Sequence, residues 1–237
     1  MEFYTSVHPM GDKMLVRGYD KGKAYQRKVD FYPTLYVTSK KPNSKWRTLE
    51  GTLVDEVKPG TIKETRDFVK RYEGVEGFTV YGNTNYSYQY ISDMYPDDVH
   101  WDMDLYKVFT IDIETATEEG FPDIRSANEE VLLITVKDLK SKRIITFGSK
   151  AFVHNREDVI YIHANDEHHL LREFLAFWEK SYPDAITGWN TDFFDVPYLI
   201  RRITRELGEK EAERISPWRY INERKTFIKG NEEIHYD

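Results

Sequence analysis

The feature that most constrains the fold is an alternating segment near the middle of the chain, residues 109–114 (FTIDIE). Successive side chains of a strand point to opposite faces, so Ile111 and Ile113 lie on one face and Asp112 and Glu114 on the other. The two carboxylates are then about 7 Å apart along the strand and repel each other unless a cation or solvent compensates their charge. Because acid-x-acid pairs also occur by chance on exposed edge strands, the segment alone leaves a metal role and a plain edge strand open.

A second acidic segment, residues 188–202 (GWNTDFFDVPYLIRR), joins a short strand to a helix. Asp195 falls at or near the first residue of this helix, where a carboxylate also interacts favourably with the helix dipole. Asp192 or Asp195 could serve only as an N-cap. Because strand and helix ends meet at one edge of such a sheet, Asp195 could also face the strand that carries Asp112 and Glu114. Three acids would then converge on one point.

The elements around these two segments predict an α/β fold, with three strands, a helix, a strand and a helix in chain order. The first three strands are close enough in sequence to form an antiparallel meander. The predicted elements are strands at 107–114, 131–137 and 143–147, a helix at 166–180, a strand at 185–189 and a helix from about 195 to near 208.

The first hundred or so residues are β-rich and are expected to contain one helix. This helix should start near Thr61, where Glu64 completes a capping box. The expected extended segments are 13–20 and 24–31 around a hairpin turn, 34–37, and 78–81, followed by a tyrosine-rich stretch at 86–91. A polar surface connection follows, and the domain boundary is placed at about residue 106, which gives an N-terminal domain of residues 1–106 and a second domain of residues 107–237.

Composition sets the class of protein but not its partner. Apolar residues make up 40% and aromatic residues 15% of the chain, which argues against disorder despite 32% charged residues. The absence of cysteine excludes disulfides and thiolate metal sites. No apolar stretch approaches the ~20 residues that span a bilayer, so we expect a cytoplasmic protein without a membrane partner. The net charge of −7 argues only weakly against a nucleic-acid partner, because the placement of basic residues matters more.

The two acidic segments, FTIDIETAT followed by GWNTDFFDVPYLIRR, resemble the first and second exonuclease motifs of family B DNA polymerases. Residues 32–37 (YPTLYV) and 90–96 (YISDMYP) are similar to the N-terminal domain of the same family, in particular of the replicative polymerases of tailed phages. The resemblance covers essentially the whole chain. It implies an RNase H-like exonuclease domain with a mixed sheet, truncated before its last helices, packed on a β-rich α+β N-terminal domain.

The resemblance implies a 3′–5′ proofreading exonuclease that belongs to a replicative DNA-directed DNA polymerase. By this match, Asp112 would bridge two Mg²⁺ or Mn²⁺ ions, Glu114 would ligate the ion that activates water, and Asp195 would support the second ion directly or through water. Two metals ~3.5–4 Å apart can activate water and stabilise the leaving oxygen. The implied partners are the DNA primer-template and its single-stranded 3′ end, the rest of the polymerase in the same or a separate chain, and a sliding clamp bound through that rest. The implied location is the host-cell cytoplasm if the protein is phage-encoded.

Four further residues are candidates for DNA binding. Phe121 aligns with an aromatic that stacks on the terminal base in phage relatives, although it could equally be a buried loop anchor beside Pro122. Asn190 could bond the primer's sugar or phosphate, or form an Asx-turn. Arg224 and Lys225 lie in residues 216–237, where two extended runs flank a turn at residues 229–231. This segment occupies the place of the hairpin that helps separate primer from template in phage members, although an exposed hairpin with its aromatics on a core is an equal alternative.

Other charged residues are assigned no role in the site. Arg201 and Arg202 are expected on a solvated helix face. The side chains of His168 and His169 point about 100° apart on a helix, and His163 is expected in a loop before them. We therefore expect no zinc site.

The family's exonuclease has a third motif, a helix with Tyr-x-x-x-Asp, which the chain does not contain before it ends at Asp237. The expectation is therefore an N-terminal piece, truncated or naturally split, that binds metal weakly and hydrolyses DNA poorly by itself. One alternative is a non-catalytic nucleic-acid-binding or docking subunit of a split polymerase. Another is a free-standing exonuclease, against which the missing fourth acid and the N-terminal domain both argue.

Overall fold

The structure is a computed structural model that describes residues 2–118, 120–228 and 231–236. Contacts between residues divide the chain into two compact units, Met1–Leu105 and Tyr106–Asp237. The assignment of the two units to the predicted polymerase domains stays a prediction. None of the helices in the described ranges is long and apolar enough to cross a membrane.

The first unit contains two antiparallel sheets and two helices. One sheet has the order β1-β2-β3 and the other the order β5-β6-β4-β7. The elements in chain order are β1 (Glu2–Met10), β2 (Lys13–Asp20), β3 (Lys23–Asp30), β4 (Leu35–Thr38), β5 (Trp46–Arg47), β6 (Leu53–Val57), α1 (Ile62–Tyr72), β7 (Val80–Tyr81) and α2 (Tyr86–Met94).

Two local predictions in this unit are confirmed. Helix α1 starts after the N-cap Thr61, whose side chain accepts the Glu64 N–H while the Glu64 carboxylate accepts the Thr61 N–H, so the capping box is complete. Strands β2 and β3 form the predicted hairpin. Lys21 and Gly22 both have positive φ, 50° and 80°, as a type I′ turn requires.

The expectation of one helix in this unit is wrong, because the tyrosine-rich stretch forms the second helix, α2. Tyr86 and Tyr90 lie one helical turn apart and are both buried, in a core with Met14 and Ile62. Tyrosine favours strands only where it packs on a pleated surface. Burial of Tyr86 and Tyr90 in this core therefore outweighs the preference of tyrosine for strands.

The second unit is a mixed five-stranded sheet with the order β11-β10-β9-β8-β12. Strands β8, β9 and β10 form the predicted antiparallel meander, whereas β11 runs parallel to β10 and β12 parallel to β8. The elements in chain order are β8 (Val108–Thr115), β9 (Val131–Asp138), β10 (Ile144–Gly148), β11 (Val159–His163), α3 (Glu167–Lys180), β12 (Ala185–Thr187), α4 (Asp195–Leu207), α5 (Glu209–Ala212), a 3-10 turn (Glu213–Ile215), β13 (Glu223–Ile228) and β14 (Asn231–Tyr236).

One face of this sheet carries the core. Helix α3 packs on β9 and β10, and helix α4 on β8. The predicted apolar face of α3 is buried, from Leu170 to Trp178, and Asp166 caps the helix by accepting the His169 N–H. Helix α4 ends at Leu207 with Gly208 as its C-cap, as predicted.

Two expectations for this unit are wrong or lie outside the described residues. Strand β11 was not predicted, and His163 is its last residue rather than part of a loop. Strands β13 and β14 pair antiparallel, as expected for the hairpin. Its predicted turn, however, falls on residues 229 and 230, which lie outside the described residues.

Candidate active site

Strand β8 displays the predicted alternation. Phe109, Ile111 and Ile113 are buried in the core that also holds helices α3 and α4. Asp112 and Glu114 are exposed on the opposite face. The core side chains fix the rotation of the strand, so both carboxylates are held on one side of a central strand of the sheet.

The loop between β12 and α4 closely approaches β8. Strand β12 pairs only with Val108–Thr110, and the chain then turns at Gly188. A Cβ at Gly188 would lie 2.7 Å from the Ile111 carbonyl oxygen, so the approach requires glycine. Two residues on, Asn190 adopts φ +60°, a region that asparagine tolerates better than most residues.

Asp195 connects this loop to β8. It is the first residue of α4, is 3% exposed, and its Oδ1 accepts the Ile113 N–H at 3.1 Å. Ile113 lies beyond the end of β12, so a carboxylate bonds an amide that no strand pairs on that side. The alternative that Asp192 or Asp195 is only an N-cap is wrong, because the N-cap is Phe194 and the helix has no side-chain capping bond.

The surroundings of Asp195 disfavour its charge. Burial raises the pKa of this carboxyl, and the negative charges of Asp112 and Glu114 raise it further, whereas the hydrogen bond from Ile113 lowers it. Asp112 and Glu114 therefore both lie within electrostatic range of Asp195. A cation near them would remove the repulsion.

The three acids fit a divalent cation by donor type and charge, since hard cations such as Mg²⁺ take carboxylate oxygens and retain several waters. Within the described ranges, however, no three His, Cys, Asp or Glu side chains lie close enough together to form a metal cluster. The ligands would therefore include waters, or side-chain rotation would have to draw the acids together. Asp195 has the least freedom to rotate, because it is buried and bonded to the strand.

Phe121 is 87% exposed, so the alternative of a buried anchor beside Pro122 is wrong. Its ring centroid lies 5.5 Å from that of Phe194, which stacks in turn on Tyr198. A shallow cavity of about 310 Å³ lies beside these rings. An exposed aromatic supported from below is suited to stacking on an unpaired base.

Asn190 is exposed, and its backbone carbonyl accepts the N–H groups of Phe193 at 3.0 Å and Phe194 at 2.8 Å. The turn is thus closed by the backbone rather than by the predicted alternative, an Asx-turn through the side chain. Across the part of the chain that the structure describes, the Asn190 amide makes no hydrogen bond, which leaves it available to a ligand.

Arg224 and Lys225 lie on β13 and are both exposed. They pair in register with His235 and Ile234 of β14. On the same strand Phe227 is 73% exposed, which does not fit the alternative of a hairpin with its aromatics on a core. The role of Arg224 and Lys225 in DNA binding stays a prediction.

The expectation that Arg202 lies on a solvated helix face is wrong. Arg202 is 7% exposed and makes a bidentate pair with Glu167, with both N–H···O distances at 2.7 Å. Its remaining nitrogen donates to the carbonyls of Ala127 and Asn128. Arg201 is half-buried and pairs with Glu223 at 2.5 Å, so it also lies off the solvated face.

Two residues of the site were not predicted from the sequence. Gly188 permits the close approach of the loop to β8, and Phe194 supports the ring of Phe121. A glycine directly after a short strand and an aromatic directly before Asp195 are the signals that indicate these roles. Both signals are too common to be specific without the fold.

The chain matches a known protein family over all of the second unit and the end of the first. A family model described as "DNA polymerase family B, exonuclease domain" matches residues 79–237. This chain belongs to DNA polymerase family B.

The relatives of this family B chain include two phage enzymes named DNA-directed DNA polymerase. The chain is 30% identical to that of Enterobacteria phage T4, over 91% of this chain and 27% of the relative. It is 27% identical to that of Escherichia phage RB69, over 99% of this chain and 28% of the relative. The chain thus spans about a quarter of the length of these curated relatives.

A solved structure, the family B DNA polymerase from the hyperthermophilic archaeon Pyrobaculum calidifontis, has a similar fold. The TM-score is 0.58 at 20% sequence identity, over 88% of this chain and 33% of that chain. The expected α/β, RNase H-like fold class is confirmed. Exonuclease domains of this family are metal-dependent.

Proposed function

We propose that this chain supplies the 3′–5′ exonuclease site of a replicative DNA-directed DNA polymerase. The site would remove the terminal nucleotide of a primer by hydrolysing its last phosphodiester. The observation that carries the proposal is the hydrogen bond between the Asp195 carboxylate and the Ile113 N–H. It joins the helix of one acidic segment to the strand of the other, next to Asp112 and Glu114.

In this proposal Asp112, Glu114 and Asp195 hold two divalent ions, Mg²⁺ or Mn²⁺, which supply an activated water and charge stabilisation at the phosphate when bound. Strand β8 holds Asp112 and Glu114 on one face, and the Ile113 N–H fixes the orientation of Asp195. In the net reaction the water oxygen bonds to phosphorus, the bond from phosphorus to the 3′ oxygen breaks, and that oxygen takes a proton.

The remaining predicted residues position the strand. Phe121 stacks on the terminal base, supported by Phe194. The Asn190 amide bonds the sugar or a phosphate. Arg224 and Lys225 contact the strand near the hairpin, where their charge attracts the phosphate backbone.

The family membership of the chain supports a wider proposal. The chain would act with the primer-template and with the remaining portion of a polymerase, in the same or a separate chain. That remaining portion would contact a sliding clamp. The chain would act in the cytoplasm, which is the host's if the protein is phage-encoded. The exonuclease domain would occupy residues 107–237 and the N-terminal domain residues 1–106.

The test is hydrolysis of a 5′-labelled single strand by the 237-residue chain with Mg²⁺ or Mn²⁺, with enzyme in excess over DNA because no three acids in the described ranges form a ready-made metal cluster. We expect products that shorten one nucleotide at a time from the 3′ end. Asp112→Asn should slow product formation about 100-fold or more, as loss of a group that stabilises transition-state charge does.

Asp192→Asn is the matched control, because Asp192 is an exposed acid in the same loop as the buried Asp195. Its rate should stay within about threefold of wild type, as for a surface substitution. Hydrolysis that is unchanged by Asp112→Asn would contradict the proposal. Single-strand binding without hydrolysis, lost on substitution of Arg224 and Lys225, would instead support the non-catalytic binding subunit.

A further inference from the structure

The face of the sheet that carries the acids continues across three more strands. Residues paired in register on neighbouring strands point to the same face. From Asp112 the row runs through Thr135 of β9 and Thr146 of β10 to Tyr161 of β11. The hydroxyls of Thr135 and Thr146 lie 3.1 Å apart and satisfy each other.

The next row starts at Glu114 and runs through Leu133 of β9 to Gly148 of β10. A Cβ at Gly148 would lie 2.6 Å from the Leu133 side chain and closer still to the Tyr161 hydroxyl. Glycine therefore lets both larger side chains fold inward at this point. The face changes from acidic at β8 to apolar at β10 and β11.

An apolar cavity of about 340 Å³ lies on this face. Strands β10 and β11 are parallel neighbours, so the chain between them must cross back over the sheet. Since α3 and α4 cover the other face, residues 149–158 make this crossing on the face of the acids. The cavity lies between this crossover loop and the strands, and its lining includes Leu133, Thr146, Lys150, Phe152, Val159 and Tyr161.

The rim of the cavity carries an exposed aromatic and a cation. The Phe152 side chain is 61% exposed and tilts over Tyr161, with ring centroids 5.5 Å apart. The Tyr161 hydroxyl donates to the Lys150 carbonyl, which ties the loop to the sheet. The Lys150 ammonium is exposed, and no acid of the described residues forms an ion pair with it.

In the order of the strands, the acids on β8 lie between the strands that line this cavity and the β12 side of the sheet. Phe121 contacts Phe194, which directly precedes Asp195 on the β12 side of β8. Leu133 lies across from Glu114 on the β9 side. A phosphate held at the acids would therefore have one aromatic platform on each side, one for the base that follows it and one for the base that precedes it.

We propose that the cavity between the crossover loop and the sheet holds an unstacked base of the single DNA strand, upstream of the nucleotide to be removed. Phe152 stacks on that base, and Lys150 attracts the neighbouring phosphate. Stacking tolerates any base, since every base has an aromatic face. This subsite rests on the proposed nuclease function, because it takes the acids as the position of the scissile phosphate.

The test measures binding of fluorescent single-stranded oligonucleotides to the 237-residue chain in EDTA, so that no hydrolysis occurs. A 2-aminopurine base is placed at the 3′ terminal position or at one of the next three positions. We expect Phe152→Ala to weaken binding about fivefold or more, the size of one lost base-aromatic stack. It should also relieve quenching of an upstream probe but not of the terminal probe.

Phe152→Tyr keeps an aromatic ring and should restore both affinity and quenching. Val153→Ala is the matched control, because Val153 is 93% exposed on the same loop and does not line the cavity. Phe121→Ala should show the opposite pattern, with the terminal probe affected.

The subsite is overturned if Phe152→Ala binds DNA as Val153→Ala does, if only the terminal probe responds, or if the wild-type chain binds no single strand. Self-association that Phe152→Ala abolishes without changing DNA affinity would assign the cavity to a second copy and would also overturn it. Hydrolysis that depends on Asp112, together with normal DNA binding by Phe152→Ala, would leave the nuclease standing and the subsite refuted. Quenching of an upstream probe that depends on Phe152, without hydrolysis under any metal, would support the base-binding subsite and refute the nuclease.

Discussion

Two buried charged side chains of helix α4, Asp195 and Arg202, lie seven residues apart in contrasting surroundings. The charge of Arg202 is fully matched. Burial alone would lower the pKa of its guanidinium, but the hydrogen bonds and charge of Glu167 raise it. Asp195 is as deeply buried, but its hydrogen-bond partners are backbone amides and two like charges lie nearby. Burial and these like charges raise the pKa of its carboxyl, which favours the neutral form.

The contrast distinguishes, on one helix, a buried charge that the chain compensates from one that it does not. Arg202 joins α3, α4 and the loop that follows β8, and the chain itself supplies every partner. Asp195 is held in place by the chain but is not neutralised by it. A buried charge without compensation costs free energy, and groups with such perturbed pKa values cluster at functional sites, which supports the proposed role of Asp195.

The largest expected effect is a loss of stability when the compensated pair of Arg202 and Glu167 is broken. Arg202→Met leaves the Glu167 carboxylate buried without its cation, so the free energy of unfolding should fall by about 3–5 kcal/mol. Urea unfolding measures the loss. Arg205→Met, at a more exposed arginine of the same helix, should lose less than about 1 kcal/mol. Equal losses in the two variants would remove the distinction between the two arginines.

A smaller effect tests whether a divalent cation compensates the charge of Asp195. A divalent cation that binds the folded chain stabilises it, by about 1.4 kcal/mol when present at roughly ten times its dissociation constant. We expect Mn²⁺ to raise the melting temperature of the wild type, and Asp112→Asn and Asp195→Asn to lose most of that increase. Asp192→Asn should retain it. A metal response that survives both substitutions would place the ion elsewhere.

The smallest effect follows from the raised pKa of Asp195. Folding favours the protonated carboxyl. The stabilisation that the protonated Asp195 carboxyl contributes is fully present below the pKa of an unfolded aspartate, about 3.9. It is lost as the pH rises through the pKa of Asp195 in the folded state. Asp195→Asn stays neutral and keeps an oxygen for the Ile113 N–H. In EDTA at pH 7 it should therefore be more stable than wild type, by on the order of 1 kcal/mol.

That gain should shrink as the pH falls toward about 4, because the wild-type carboxyl then becomes neutral as well. Thermal unfolding of both proteins across this pH range measures it. Asp192→Asn, which replaces an exposed acid just before the same helix, is the control variant. Loss of stability in Asp195→Asn at neutral pH would mean that the carboxylate is compensated by groups other than those that raise its pKa.

Local signals predicted the elements whose causes are local. The capping box at Thr61 and Glu64 gave the start of α1, and the alternation in residues 109–114 gave the two faces of β8. Strand β11 was missed, although its β-branched and aromatic residues (VIYIH) are typical of a strand. Its position as a parallel edge strand depends on pairing with β10. Helix α2 was missed because Tyr86 and Tyr90 are placed by the core they enter.

The sequence by itself determined the family and the face on which Asp112 and Glu114 lie, and it singled out three candidate acids, because residue identity and strand periodicity carry that information. Only the tertiary structure decided which of the buried charges, Arg202 or Asp195, is compensated. Glu167 meets Arg202 across 35 positions of sequence, and Asp195 meets the Ile113 amide across 82. Compensation of a buried charge depends on such distant partners, so local sequence could not show that one charge is matched and the other is not.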